Sequence, residues 1–166
     1  MNESELVTLL KKHGIDTTRF DRGKAKSLAN LLDEVNAGII FLVEREGKLC
    51  GYIDVVSMNI YAQVISTRLR LVEKGTNSPI SEKLGLGEEP LGGVGRFLRR
   101  FGIRRFTIPV PITYAKIEEN DSPAYPGISF LYQTYGVVVE LAPLDYKEEG
   151  YQEVKSGAPH FVWRRT

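Results

Sequence analysis

At 166 residues, 42% of them apolar and 26% charged, the chain has the size and composition of one soluble globular domain. Twenty-two basic residues against twenty-one acidic ones leave a formal charge of +1, so no global field draws it toward nucleic acid or a membrane surface. Its single cysteine, Cys50, excludes an intramolecular disulfide and a thiolate metal cluster.

The opening Met1-Asn-Glu-Ser-Glu is acidic and polar, unlike a secretory signal, and no apolar run approaches membrane-spanning length, so a cytoplasmic location is expected. Residues 3–13 place Leu6, Leu9 and Leu10 on one helical face, with Lys11, Lys12 and His13 near the carbonyl end and Gly14 as the stop. A second helix is expected over residues 24–35, where Leu28, Leu31, Leu32 and Val35 recur at three- and four-residue steps. Residues 1–38 read as a helical preface packed on a main domain of residues 39–166, since so short a segment rarely folds alone.

From Ile39 the period changes. Residues 39–43 read as a strand and residues 45–48 as a turn centred on Gly47. Residues 49–64 form one long strand or two, and residues 69–73 continue the sheet before the breaker run 75–79. Residues 83–89 read as a loop, with Cys50, upstream, as a small half-buried hydrophobe. Pro90 suits the first turn of a third helix, which carries Leu91, Val94, Phe97, Leu98 and Phe101 as its apolar stripe and ends at Gly102. Gly92, Gly93 and Gly95 each weaken that helix by about 1 kcal/mol relative to Ala, which close packing against the sheet would explain. Further strands are expected at residues 105–110, 113–116, 128–141 and around Phe161 to Trp163, with a polar loop at 118–127.

The segment from Leu69 to Ile103 resembles the signature region of Nudix hydrolases: a strand ending Leu71-Val-Glu73, a loop, Gly87-Glu88, a helix carrying Arg96, and an exit at Gly102. Residues 80–84, 87–91, 122–127, 150–154 and 161–163 extend the resemblance to an uncharacterised Nudix-like group over most of the chain after residue 20. It implies an α/β (α+β) fold, a Nudix-like α/β/α sandwich with a mixed, largely antiparallel sheet. In that family, carboxylates at fixed spacing hold a divalent metal against a diphosphate. Here Glu88 and Arg96 match the pattern, whereas Glu82 stands at the opening glycine, and Phe97 at the glutamate that follows the arginine. The final acidic pair falls on Arg100 and Phe101, or on Arg99 and Arg100 if the helix is one residue shorter.

A phenylalanine cannot ligate metal and an arginine repels it. The resemblance therefore implies a catalytically defective Nudix-like domain with a binding or structural role and no cofactor. Arg96, Arg99, Arg100 and Tyr125 are the candidates for contacting a phosphate-bearing, nucleotide-like small molecule, while a salt bridge from Arg96 to Glu88 is the competing reading of that arginine. Two alternatives stay open. One is a Mg²⁺-dependent phosphohydrolase of nucleoside-diphosphate-linked compounds using Glu82, Glu88 and Glu89 as catalytic acids, with Glu88 and Glu89 as metal ligands and Glu119 in reserve. The other is a nucleic-acid module built on the arginines from Arg96 to Arg105, which the balanced charge disfavours. The aromatic residues Tyr125, Tyr132, Tyr135 and Tyr151 could line a stacking pocket, and an antiparallel edge could pair two subunits into a homodimer. His13 and His160 are too few for a zinc site.

Overall fold

A computed structural model describes residues 1–166. Its elements run α1 (Glu3–Lys12), α2 (Leu28–Asn36), β1 (Ile40–Arg45), β2 (Lys48–Val64), β3 (Thr67–Glu73), β4 (Ile80–Lys83), α3 (Pro90–Arg99), β5 (Phe106–Thr107), β6 (Thr113–Glu119), β7 (Ser129–Leu141), β8 (Tyr151–Gln152) and β9 (His160–Arg165). The strand order is β5-β7-β2-β3-β9-β8, with β1 and β4 also pairing β2 and β6 pairing β7. The pairs β1–β2, β2–β3, β3–β9, β5–β7 and β8–β9 are all antiparallel. Three α-helices and a largely antiparallel sheet match the expected Nudix-like α/β/α class.

The chain divides into two compact units, and the long strands β2 and β7 contribute to both. The first comprises Met1–Asp54, Lys83–Gly87 and Lys116–Thr134. Asn2 caps α1 by accepting from the Glu5 N–H at 2.9 Å, while Glu5 accepts from the Asn2 N–H in return. Ser27 caps α2, which therefore begins at Leu28 and not at residue 24; the intervening chain is held in turns, with the Lys26 N–H donating to the Ala124 carbonyl. Leu6, Leu10, Leu31, Ile40, Ile53 and Phe130 form the core of this unit. Arg45 and Lys48 are register partners, so the β1–β2 turn has two central residues, and both Glu46 and Gly47 adopt positive φ as a tight hairpin of this hand requires. His13 sits at the C-cap of α1, but its ring approaches Glu44 at 3.1 Å instead of the helix carbonyls.

The second unit comprises Val55–Glu82, Glu88–Ala115 and Tyr135–Thr166. Its core gathers alternate residues of β2 (Val56, Met58, Ile60) with Leu71, Val94 and Phe97. Three details depart from the sequence reading. The expected strand over residues 105–110 shrinks to Phe106–Thr107, because Pro109 and Pro111 supply no donor to a ladder. Residues 80–83, between breaker and loop in sequence, form β4. Leu91, assigned to the apolar stripe of α3, is 48% exposed: it shares the side of Val94 and Leu98 but stands in the first turn of the helix.

Candidate functional site

Helix α3 begins at Pro90 with Glu89 as its N-cap, whose side chain makes no capping hydrogen bond and stays exposed. The helical spacing of three to four residues aligns Arg96 and Arg100 one turn apart on the same side. Both reach Glu82 on β4. Arg96 donates from Nη1 to Glu82 Oε2 at 2.8 Å, and clasps Glu88 through Nη2 at 3.0 Å and Nε at 3.1 Å. Arg100 donates from Nη2 to Glu82 Oε1 and lies 3.5 Å from Glu153 Oε1 through Nε. Two guanidinium groups thus link three carboxylates. The side chains of Glu82 and Glu88 are only 16% and 24% exposed.

Burial of two carboxylates so close together is costly unless cations offset them, and the forked guanidinium does this bidentately. The hydrogen bonds from Arg96 to Glu88 outweigh partial burial and raise the arginine's pKa further above its ordinary value, so it carries its charge at any accessible pH. Arg100 also stacks over Phe97 and Phe101, with its guanidinium carbon 5.1 Å and 5.9 Å from the ring centroids. Those rings continue into an edge-to-face cluster with Phe161 and the neighbouring Tyr151.

The structure therefore brings together four residues singled out in the sequence, Glu82, Glu88, Arg96 and Arg100, but as partners of one another. Arg100, a candidate for contacting a phosphate-bearing molecule, is engaged at Glu82 and Glu153. Glu153 lies in the resembling segment 150–154 but was not singled out as a site residue, being distant in the chain from α3. Arg99 points elsewhere: it is exposed, and lines a shallow hollow with Leu91, Gly95, Ile103, Arg104 and Phe106. A Cβ added at Gly95 would lie 3.0 Å from Arg99 Nη1, so this glycine makes room for the arginine side chain of its own helix. Phe97 is fully buried, whereas Phe101 is half-buried within the ring cluster and reaches the wall of a cleft.

Tyr125 belongs to the first unit and is buried. Its hydroxyl forms no hydrogen bond of good geometry. Burial, with the Glu34 carboxylate nearby, pushes its ionisation far above the ordinary tyrosine range. Also in the first unit, Glu119 accepts from the Tyr132 hydroxyl at 3.3 Å. Tyr151, in the second unit, is buried, and its hydroxyl donates to the Asp145 carbonyl. No group of three or more His, Cys, Asp or Glu side chains converges in a way that could hold a metal ion. No helix is long and apolar enough to cross a membrane.

Beside Arg100 opens a cleft of about 510 Å³, entirely within the second unit. Its walls include Glu73, Ser78, Glu82, Arg100, Phe101 and Lys155. Two solved structures show a weak likeness to the chain. The crystal structure of C. elegans Ap4A hydrolase aligns at 12% identity with a TM-score of 0.39, covering 69% of this chain and 80% of that one. A Nudix hydrolase from M. smegmatis, RenU, aligns at 9% identity with a TM-score of 0.41, covering 68% and 70%. No protein-family model and no curated protein matches the sequence. At these identities and TM-scores the likeness carries nothing about chemistry, which rests on the residues of this chain.

Proposed function

We infer that this chain is a Nudix-like binding domain that does not hydrolyse phosphoanhydrides, and that it presents the cleft beside Arg100 to a small anionic, nucleotide-like molecule. The observation that carries this reading is the pairing of Glu82 and Glu88 with Arg96, and of Glu82 with Arg100. The carboxylates best placed to act as metal ligands already face fixed positive charge within the same unit. A divalent cation would have to displace a bidentate guanidinium and accept its repulsion at close range.

Arg100 is the residue of this network suited to an external anion. Its side chain is 37% exposed, it lines the cleft, and its contact with Glu153 at 3.5 Å is the loosest of the set. Lys155, Ser78 and Ser156 add donors around the same space. Arg96, fully committed to two glutamates, serves to position Glu82 and Glu88, and Arg99 remains a peripheral candidate on its own exposed face.

Calorimetric titration with ADP and ADP-ribose, each with and without Mg²⁺, tests this reading, with ³¹P NMR of the same samples to detect cleavage. Binding independent of Mg²⁺, no release of phosphate or AMP, and an about tenfold loss of affinity in Arg100→Gln are expected. Mg²⁺-dependent turnover would overturn it and restore the hydrolase alternative. A short oligonucleotide bound tightly, with affinity falling steeply with salt, would instead support a nucleic-acid module.

A further inference from the structure

One side of α3 carries residues that the core does not use. Leu91, Gly95 and Arg99 recur at four-residue steps and so form a single ridge along the helix. Leu91 is 48% exposed and buries little, and a glycine in mid-helix weakens α3 relative to alanine. Beside the ridge opens a hollow of about 490 Å³, entirely within the second unit. Its walls are these three residues with Ile103, Arg104 and Phe106.

The exit from α3 builds the far wall. Gly102 holds φ of 74°, which turns the chain back, and the Ile103 N–H donates to the Leu98 carbonyl at 3.1 Å. Ile103 is thereby buried, and Arg104 follows it at the surface. Phe106 is held by pairing with Leu141 and stays half-buried. On the near wall the Arg99 guanidinium folds back over its own helix. The Cβ position of Gly95 lies 3.0 Å from Nη1, 3.8 Å from Cζ and 3.9 Å from Nη2, so a side chain at this position would crowd the guanidinium away.

Charge sets the chemistry. Arg96 and Arg100 are each paired with carboxylates, whereas Arg99 and Arg104 form no ion pair. No acidic side chain, hydroxyl or ammonium stands on the walls of the hollow. Its side-chain donors are the two guanidinium groups, and the rest is apolar surface of Leu91, Ile103 and Phe106. A guanidinium is always charged and presents paired N–H donors that match the two oxygens of a carboxylate. We propose that this hollow binds a small amphiphilic carboxylate, with its head on Arg99 and Arg104 and a short apolar chain over Leu91 and Phe106. The volume falls within the roughly 300–1,000 Å³ usual for small-molecule sites. Both arginines repel a cationic head, and an uncharged head leaves them without a counter-charge. Neither Arg99 nor Arg104 lines the cleft beside Arg100, so the two ligands meet different walls.

The test is a two-dimensional NMR titration of the full chain with hexanoate, acetate, hexan-1-ol and hexylamine. It is read at the amides of Gly95, Ile103 and Phe106 and at the Nε–H groups of Arg99 and Arg104. Saturable shifts at these groups are expected for hexanoate. Acetate keeps the head and loses most of the chain, and hexan-1-ol keeps the chain and loses the charge. Each should bind at least about tenfold more weakly than hexanoate, and hexylamine more weakly still. Arg99→Gln and Arg104→Gln alter exposed side chains that form no ion pair, so folding does not depend on them. Each should weaken hexanoate about tenfold and leave hexan-1-ol unchanged. Leu91→Ser, also at an exposed position, should weaken hexanoate and hexan-1-ol alike and leave acetate unchanged. Equal affinity for hexanoate and acetate, hexylamine bound as tightly as hexanoate, no saturable shift, or shifts confined to other residues would each overturn the proposal. No phosphate or metal enters the titration, so its outcome is separate from that of the cleft beside Arg100.

Discussion

Replacing Arg96 by Met removes its hydrogen bonds to the Glu82 and Glu88 carboxylates while keeping most of the aliphatic stem. A fully buried ion pair broken on one side costs about 3–5 kcal/mol. The Arg96 side chain is 39% exposed, so water relieves part of that penalty, and Glu82 keeps Arg100 as a partner. Glu88, at 24% exposure, loses its hydrogen bonds from Arg96 Nε and Nη2. A net loss of about 2–3 kcal/mol follows. For a chain of this length it lowers the melting temperature by roughly 4–10 °C. Calorimetry and urea unfolding followed by circular dichroism measure it, and adding Glu88→Gln to Arg96→Met should recover about 1 kcal/mol by removing the stranded charge. A loss below about 0.5 kcal/mol for Arg96→Met, the level of an ordinary surface pair, would refute the view that these guanidinium groups hold the carboxylate cluster together.

Three further outcomes are expected. Ile65, at the β2–β3 hairpin tip, is 97% exposed and holds φ of 56°, a conformation costly for a β-branched residue, so Ile65→Gly should stabilise the fold by about 1 kcal/mol in urea unfolding. At Gly51 a Cβ would lie 2.3 Å from Phe130 Cε1 and 2.6 Å from Cδ1, so Gly51→Ala should cost about 1–3 kcal/mol through forced displacement of a buried ring, seen as a lower urea midpoint. For Glu34, burial works to raise the pKa, but hydrogen bonds from Lys83 and Lys26 prevail and hold it below its ordinary 4.5. A depressed carboxylate stabilises the fold above its unfolded pKa and loses that contribution as pH falls through the folded one. Glu34→Gln should therefore destabilise at neutral pH, with the difference from the native chain shrinking as pH drops below about 4.5 in parallel denaturation curves.

Much of the local structure was legible because it is written in short-range patterns. The leucine spacing of α1 and α2, Pro90 at the start of α3, and the two-residue turn at Glu46 and Gly47 depend on a few neighbouring residues and their own dihedral preferences. The boundaries that shifted were those where a cap or a proline competes with hydrophobic period, as at Ser27 and between Pro109 and Pro111. The departure from the acidic pattern that the segment resembles was equally legible, since no fold can turn Phe97 or Arg100 into a carboxylate.

What Arg96 and Arg100 contact was decided only in three dimensions. The sequence by itself determined that Arg96 and Arg100 share a side of α3 and that the acids expected beyond them are missing, because a helix repeats every 3.6 residues whatever surrounds it. Tertiary structure decided that Glu82 from β4 and Glu153 from the loop after β8 meet those arginines. It also decided that Tyr125 is buried. These juxtapositions come from strand pairing and chain reversal between distant segments. Partly buried charge selects among the side chains so assembled: a half-buried carboxylate cluster is stabilised by a counter-cation, and here the protein supplies its own.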